Sequence, residues 1–289
     1  MRDRMHAARV IARTQLVESL LSPGLYVSLT AGLVIGWLLC AGFARAVDSS
    51  GFDPRLSGFW SFATRALSGG FGPVFVERLL SEGPFLAVLA ASFAPVFLVL
   101  ATGSVFRFGL EKNAGAIELI VYGPADGTAF FIGSFVKDAV LCAGALGLLT
   151  LYFLVIAAAQ NLVVGPMFFA ALPVVFLLAL AIFAFGILCS VGAGHAAAAL
   201  AVFLGIGALF TAMLAGSLSA AGSSARAAAE TVSAVLQWIS PLFYASLCAR
   251  AYGGGSATEY AAGLALLCAL TGAVLAGCHL LIRRTGVRA

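Results

Sequence analysis

The sequence predicts an all-α, polytopic integral membrane protein with six transmembrane helices. An amphipathic N-terminal helix and short re-entrant or interfacial helices before the last span complete the expected fold. Three observations carry this. Of 289 residues, 62% are hydrophobic and only 10% charged, whereas a soluble domain carries about 25% charged residues. Mean hydropathy is +1.08. The apolar residues gather into runs of about 20, the length at which a helix crosses a bilayer's hydrocarbon. So little charge cannot cover a water-facing surface, which excludes a soluble globular enzyme. The wealth of Leu, Val and Phe excludes disorder.

Residues 1–24 come first. Val10, Leu16, Val17, Leu20 and Leu21 recur at helical spacing among Arg2, Arg9, Arg13 and Glu18, and Ser22-Pro23-Gly24 ends the pattern. A basic amphipathic helix just before a span lies along the cytoplasmic membrane surface or serves as a topology anchor. The first span is expected at 25–44, with no charge from Leu25 to Ala44. Ala44-Arg45-Ala46 looks like a signal-peptidase site. A signal peptide's apolar core is only about 7–15 residues, however, so an uncleaved span is expected.

Residues 45–84 carry eight charges with many Gly, Pro and Ser, too short a stretch for a sturdy separate domain. The second span is expected at 85–105. From Ala139 to Ala225 there is no Asp, Glu, Lys or Arg. Breaks at Gln160-Asn161 with Gly165-Pro166, and at Gly192 to His195, divide this region into spans at 130–159, 166–189 and 196–219. An apolar piece from Val232 to Leu247, interrupted at Ser240-Pro241, predicts the short non-spanning helices. Such helices survive in a membrane only where protein covers their freed backbone groups. The sixth span is expected at 260–282.

Orientation follows from Lys and Arg near span ends. With the N-terminus inside, the cytoplasmic side holds Arg2, Arg4, Arg9, Arg13, Arg107, Lys112, Lys137, Arg283, Arg284 and Arg288, and the six other arginines lie outside. Both termini are therefore expected in the cytoplasm. A net charge of +4 is too small to argue for nucleic acid. The six cysteines show no C-x-x-C spacing and are expected as small apolar membrane residues rather than metal ligands. His6, His195 and His279 fall in no catalytic motif. His195, at a turn, is expected to be solvated or capping.

Lys137 and Asp138 are the ionisable residues inside the apolar region. Being adjacent, they are expected to point in different directions, with Lys137 snorkelling to the surface. Asp138 is a candidate path residue, because intramembrane carboxylates mark transport routes. Phe130, Phe131, Phe135, Phe168, Phe169, Phe176, Phe183, Phe185, Phe203 and Phe210 are expected mostly at lipid. Gly144, Gly147, Gly186, Gly205 and Gly207 are expected where helices approach closely.

The segment 106–128, after the second span, is the most specific feature. It carries Glu111, Lys112 and Glu118 on a short helix-like stretch ended by Gly123-Pro124. Glu111 and Glu118 are seven apart, on one helix face. By pattern alone this is either a helix that docks on a cytosolic partner or the solvated turn of a helical hairpin.

Here the chain resembles the ABC-2-type permeases, the membrane subunits of ATP-binding-cassette exporters. Their segment E-R-E-x-G-T-x-E-L-L-L-x-x-P is similar to Glu111-Lys-Asn-Ala-Gly115-Ala-Ile-Glu118-Leu119-Ile-Val-Tyr-Gly-Pro124. Glu111, Gly115, Glu118, Leu119 and Pro124 match in place, and Gly133 falls where the family has Gly-Lys. Ala116, Asn113 and Ser134 depart from the usual Thr, Glu and Lys. The Trp238-Ile-Ser-Pro241 segment is a weaker match.

The resemblance implies one transmembrane domain over 1–289. It implies a coupling segment in which Glu111, Lys112, Gly115, Glu118, Leu119 and Pro124 meet a cytosolic ABC ATPase. It also implies a second permease subunit, as homo- or heterodimer, in the plasma (inner) membrane. The only lysines, Lys112 and Lys137, end no G-x-x-x-x-G-K-[ST] loop. The chain is therefore expected to hold no cofactor and to have no enzymatic activity of its own, ATP and Mg residing on the partner. An ion-coupled secondary transporter or channel is the alternative, and an intramembrane enzyme a remote one.

Overall fold

The computed structural model describes residues 2–48, 82, 84–113, 127–193, 195–214 and 236–285. Among these, eight helices run in order: α1 (Arg2–Leu20), α2 (Pro23–Asp48), α3 (Phe85–Asn113), α4 (Gly127–Ala159), α5 (Pro166–Gly192), α6 (Ala196–Leu214), α7 (Pro241–Gly254) and α8 (Ala257–Thr285). The described residues contain no strand. Six helices, α2 to α6 and α8, are long and apolar enough to cross a membrane. The chain is an all-α, multi-pass membrane protein.

Local chemistry sets the helix ends. Ser22 closes the turn after α1 by donating its N–H to the Ser19 carbonyl, and Pro23 opens α2. Proline is pre-set for a first helical turn, where its missing N–H is not needed. Pro166 and Pro241 open α5 and α7 in the same way. Gly255, in the left-handed conformation at φ 76°, ends α7 and returns its N–H to the Ala251 and Tyr252 carbonyls. That backbone conformation suits a residue with no Cβ. α7 has 14 residues, about 21 Å at ~1.5 Å per residue, too short to span. The helical piece expected from Val232 begins in residues outside those described. Leu236 and Gln237 are helical, and the chain turns at Trp238-Ile239.

α5 is the hub, packing on α3, α4, α6, α7 and α8. In its most apolar stretch 56% of residues are buried, against 11% for α6, which borders the bundle and leaves most of its surface open. The main core joins α2, α3, α4 and α5. At one end it holds a triangle of Phe85, Phe153 and Phe168 with ring centroids 6.2–6.4 Å apart. Such tilted and edge-on ring pairs favour contacts between the electron-poor ring edge and a neighbouring face.

Two expectations about side chains are corrected here. Of the ten phenylalanines assigned mostly to lipid, Phe130, Phe131, Phe168, Phe183, Phe185 and Phe210 are buried in the protein. Lipid offers no hydrophobic gain over a protein core, so large rings go where packing is densest. Of the five glycines expected at helix contacts, only Gly186 lies tight against another helix, at the Ser104 hydroxyl of α3. A Cβ at Gly144, Gly147, Gly205 or Gly207 would meet nothing within 4 Å.

The close approach lies instead on α2, where Ser28, Gly32, Gly36 and Cys40 form a buried ridge at four-residue spacing. A Cβ on Gly32 would collide with the Ser92 carbonyl oxygen of α3. One on Gly36 would lie 2.7 Å from the Phe153 ring of α4. Small residues let helix backbones approach where dispersion, rather than water exclusion, drives association. Tyr152 of α4 ties the same region by donating its hydroxyl to the Leu33 carbonyl at 3.0 Å.

Candidate functional site

The helices alternate in direction, so the bundle has two ends. The end at which α1 lies gathers the start of α2, the end of α3, the start of α4, the end of α5 and the end of α8. α1 packs along α4. Ala8 and Ile11 seat against Gly133, where a Cβ would lie 2.9 Å from the Ala8 carbonyl oxygen. Ala12 and Gln15 on the same stripe are buried, while Val10, Val17 and Leu21 lie exposed on the opposite stripe. The helix thus has one face for the bundle and a second apolar face for a membrane interface. Nearby, Thr128 of α4 and Nδ1 of His279 of α8 lie 3.2 Å apart in a hydrogen bond.

α3 does not stop where its apolar span stops. The apolar run ends before Arg107, yet the helix continues unbroken to Asn113, about 10 Å further at ~1.5 Å per residue. Glu111 and Lys112 therefore belong to the last turn of a spanning helix rather than to a separate short one. No proline interrupts Phe106 to Asn113, so the helix has no reason to break there. Gly115, Glu118, Leu119 and Pro124 lie outside the described residues. The chain re-enters description at Gly127, where α4 begins. α4 has 33 residues, about 50 Å at ~1.5 Å per residue and well beyond ~30 Å of hydrocarbon.

Between these helices lies a cavity of about 280 Å³. Ser19 and Ser22 from the α1–α2 junction, Gly103 and Phe106 from α3, and Lys137 and Asp138 from α4 line it. Lys137 Nζ and Asp138 Oδ1 are 2.6 Å apart, with the side chains 4% and 0% exposed. This corrects the expectation that adjacent residues diverge and that Lys137 snorkels. α1, α2 and α3 roof this part of α4, and the lysine meets its neighbour instead of reaching the surface. Its four-carbon stem is flexible enough to fold back along the helix. A buried charge is tolerated only when paired.

Sequence reading found Asp138 but not its surroundings. Ser19, Ser22 and Gly103 carry no recognisable motif and become neighbours only through packing. Chemically the cavity offers an ion pair and two serine hydroxyls at one side of an otherwise apolar chamber. It is fit to hold a polar group inside the membrane. Among the described residues no group of three His, Cys, Asp or Glu could hold a metal ion. His195 is exposed at the start of α6, and its carbonyl accepts the Ala199 N–H at 3.0 Å.

At the other end, Glu82 accepts the Met167 N–H at 2.8 Å, capping the first turn of α5. A carboxylate there meets the positive end of the helix dipole. Gly165 makes room for it, since a Cβ would sit 2.6 Å from that of Glu82. Tyr260 of α8 donates its hydroxyl to the Ala170 carbonyl of α5 at 2.5 Å. No family model matches the chain, and no characterised protein matches its sequence.

Proposed function

We propose that the chain is the membrane permease subunit of an ATP-driven exporter of the ABC-2 type. It couples through the segment between α3 and α4 to a separate cytosolic ATPase and pairs with a second permease subunit. One observation carries the reading furthest: the segment with the family-like motif is bracketed by two helices that continue into the bundle. α3 extends to Asn113 before it, and α4 begins at Gly127 after it, held by α1 at Gly133. A displacement of residues 114–126 would pass into both helices, and both wall the cavity at Lys137 and Asp138. A motor shifts such a two-state element only by gripping one state better than the other. The segment that links α3 to α4 is where that grip can act.

In this reading both termini are cytoplasmic, the membrane is the plasma (inner) membrane, and ATP and Mg are bound by the partner. The buried ion pair favours a second reading, an ion-coupled carrier, because intramembrane charges mark ion pathways.

The test is co-purification. Tagged protein extracted from its native membrane is expected to bring down a phosphate-loop ATPase, sought first in the neighbouring reading frame. Gly115→Pro and Glu118→Arg are each expected to abolish that association and leave membrane insertion intact. Undiminished co-purification of both variants would overturn the coupling role. Cargo movement by the purified chain in vesicles without nucleotide hydrolysis would favour the carrier instead.

A further inference from the structure

A second cavity, of about 310 Å³ and open on one side, lies at the end of the bundle away from α1, bounded by α3, α5, α7 and α8. Six alanines make the room: Ala87 and Ala90 of α3, Ala170 and Ala171 of α5, Ala245 and Ala249 of α7. Here three helices each place two alanines on one hollow, beside the larger Leu86, Val174, Val175 and Leu178, so no single substitution accounts for it.

Its chemistry excludes water as the resident. A buried water needs about two to four polar partners. The lining offers two tyrosines as its hydroxyl groups, and that of Tyr260 is engaged by the Ala170 carbonyl. The void is roughly twice the ~150 Å³ apolar cavity that stays dry and admits benzene.

Its depth identifies the occupant. The lining runs along α5 from Met167, in the first turn, to Leu178. Those eleven residue steps rise about 16 Å, close to half of the ~30 Å hydrocarbon core and so to the depth of one leaflet. α7, the helix too short to span, supplies the wall that separates this volume from α6.

We propose that this cavity is a binding site for a single hydrocarbon chain of a bilayer amphiphile, taken from the leaflet at the α7 end. The chain lies along α5, and the alanine wall supplies its contacts. Left empty, a hollow of this size would forfeit dispersion contacts along its apolar walls, and the surrounding bilayer is the abundant source of chains. The proposal goes beyond the coupling reading and does not depend on it, since no ATPase enters the argument.

The test uses the full-length protein in nanodiscs of phosphatidylcholine doped with a phosphatidylcholine that carries a photoactivatable diazirine near the end of one acyl chain. After irradiation the labelled residues are mapped by mass spectrometry. Label per residue on 241–254 and 167–178 is expected to exceed that on α6, whose open surface reports ordinary lipid contact, by about tenfold.

Ala171→Phe and Ala249→Leu fill the cavity from opposite walls. Each is expected to return labelling of α7 to the level of α6 while α6 itself is unchanged. Wild-type label no denser on α7 than on α6 overturns the proposal on its own, whether or not the filled variants fold. So does label that persists undiminished in a folded filled variant.

Discussion

Gly32→Leu is expected to lower the thermal midpoint of the detergent-solubilised protein by about 6–12 °C, the shift that ~3 kcal/mol produces in a chain of this size. The side chain would enter where α2 and α3 touch. Even a Cβ there collides with the Ser92 carbonyl oxygen. A collision with backbone is relieved only by moving a helix, so the loss belongs at the top of the ~1–3 kcal/mol range for an overpacked core. Separating α2 from α3 also costs the neighbouring contacts. Gly36 rests against Phe153, whose ring closes the Phe85–Phe168 triangle.

Gly144→Leu and Gly205→Leu provide the comparison. Nothing lies within 4 Å of a Cβ at either position, so each is expected to change stability by less than about 0.5 kcal/mol. Fluorescence-detected size exclusion after a temperature series measures all three. Equal midpoints would remove the α2 ridge from the account of how the bundle is held.

The contrast among these glycines shows what sequence alone could and could not reveal. The spans were legible because length and hydropathy answer to bilayer thickness, which does not depend on neighbours. Pro23, Pro166 and Pro241 marked helix starts for an equally local reason. Helix contacts are different. Gly32 and Gly36 stand in a G-x-x-x-G spacing, with Ser28 and Cys40 extending it, and that spacing was the available signal. That spacing does not decide the matter, because a glycine in an apolar run looks alike whether it meets a helix or lipid.

The phenylalanines hide their roles for the same reason: in a membrane both the core and the surroundings are apolar, so hydrophobicity does not sort inside from outside. The continuation of α3 to Asn113 was hidden by Arg107, which marks the end of hydrocarbon but not the end of a helix. At the candidate site, Asp138 was visible because charge is rare in this chain. Its ion pair was not, because it depends on the roof that α1, α2 and α3 place over α4.

That roof leads to the second large effect. Asp138→Leu and Lys137→Met are each expected to destabilise the protein by about 3–5 kcal/mol, because each removes the opposite charge from beside a buried ion. The remaining ion stays among packed helices, its side chain 4% or 0% exposed in the wild type. The double variant Lys137→Met/Asp138→Leu removes both charges and keeps similar volume. It is expected to recover most of the loss, since well-packed apolar residues often replace a buried pair at little cost. The same thermal series measures the cycle. A coupling below about 0.5 kcal/mol, the level of independent sites, would mean that the two side chains do not act as a pair.

The double variant also separates structure from transport. If the pair only braces α4 under its roof, the restored protein keeps whatever cargo movement the wild type shows with its partner. If Asp138 belongs to the path, the restored protein is stable and inactive, and Glu at 138 with Lys137 retained brings activity back. Stability without activity is the outcome a purely structural carboxylate does not give.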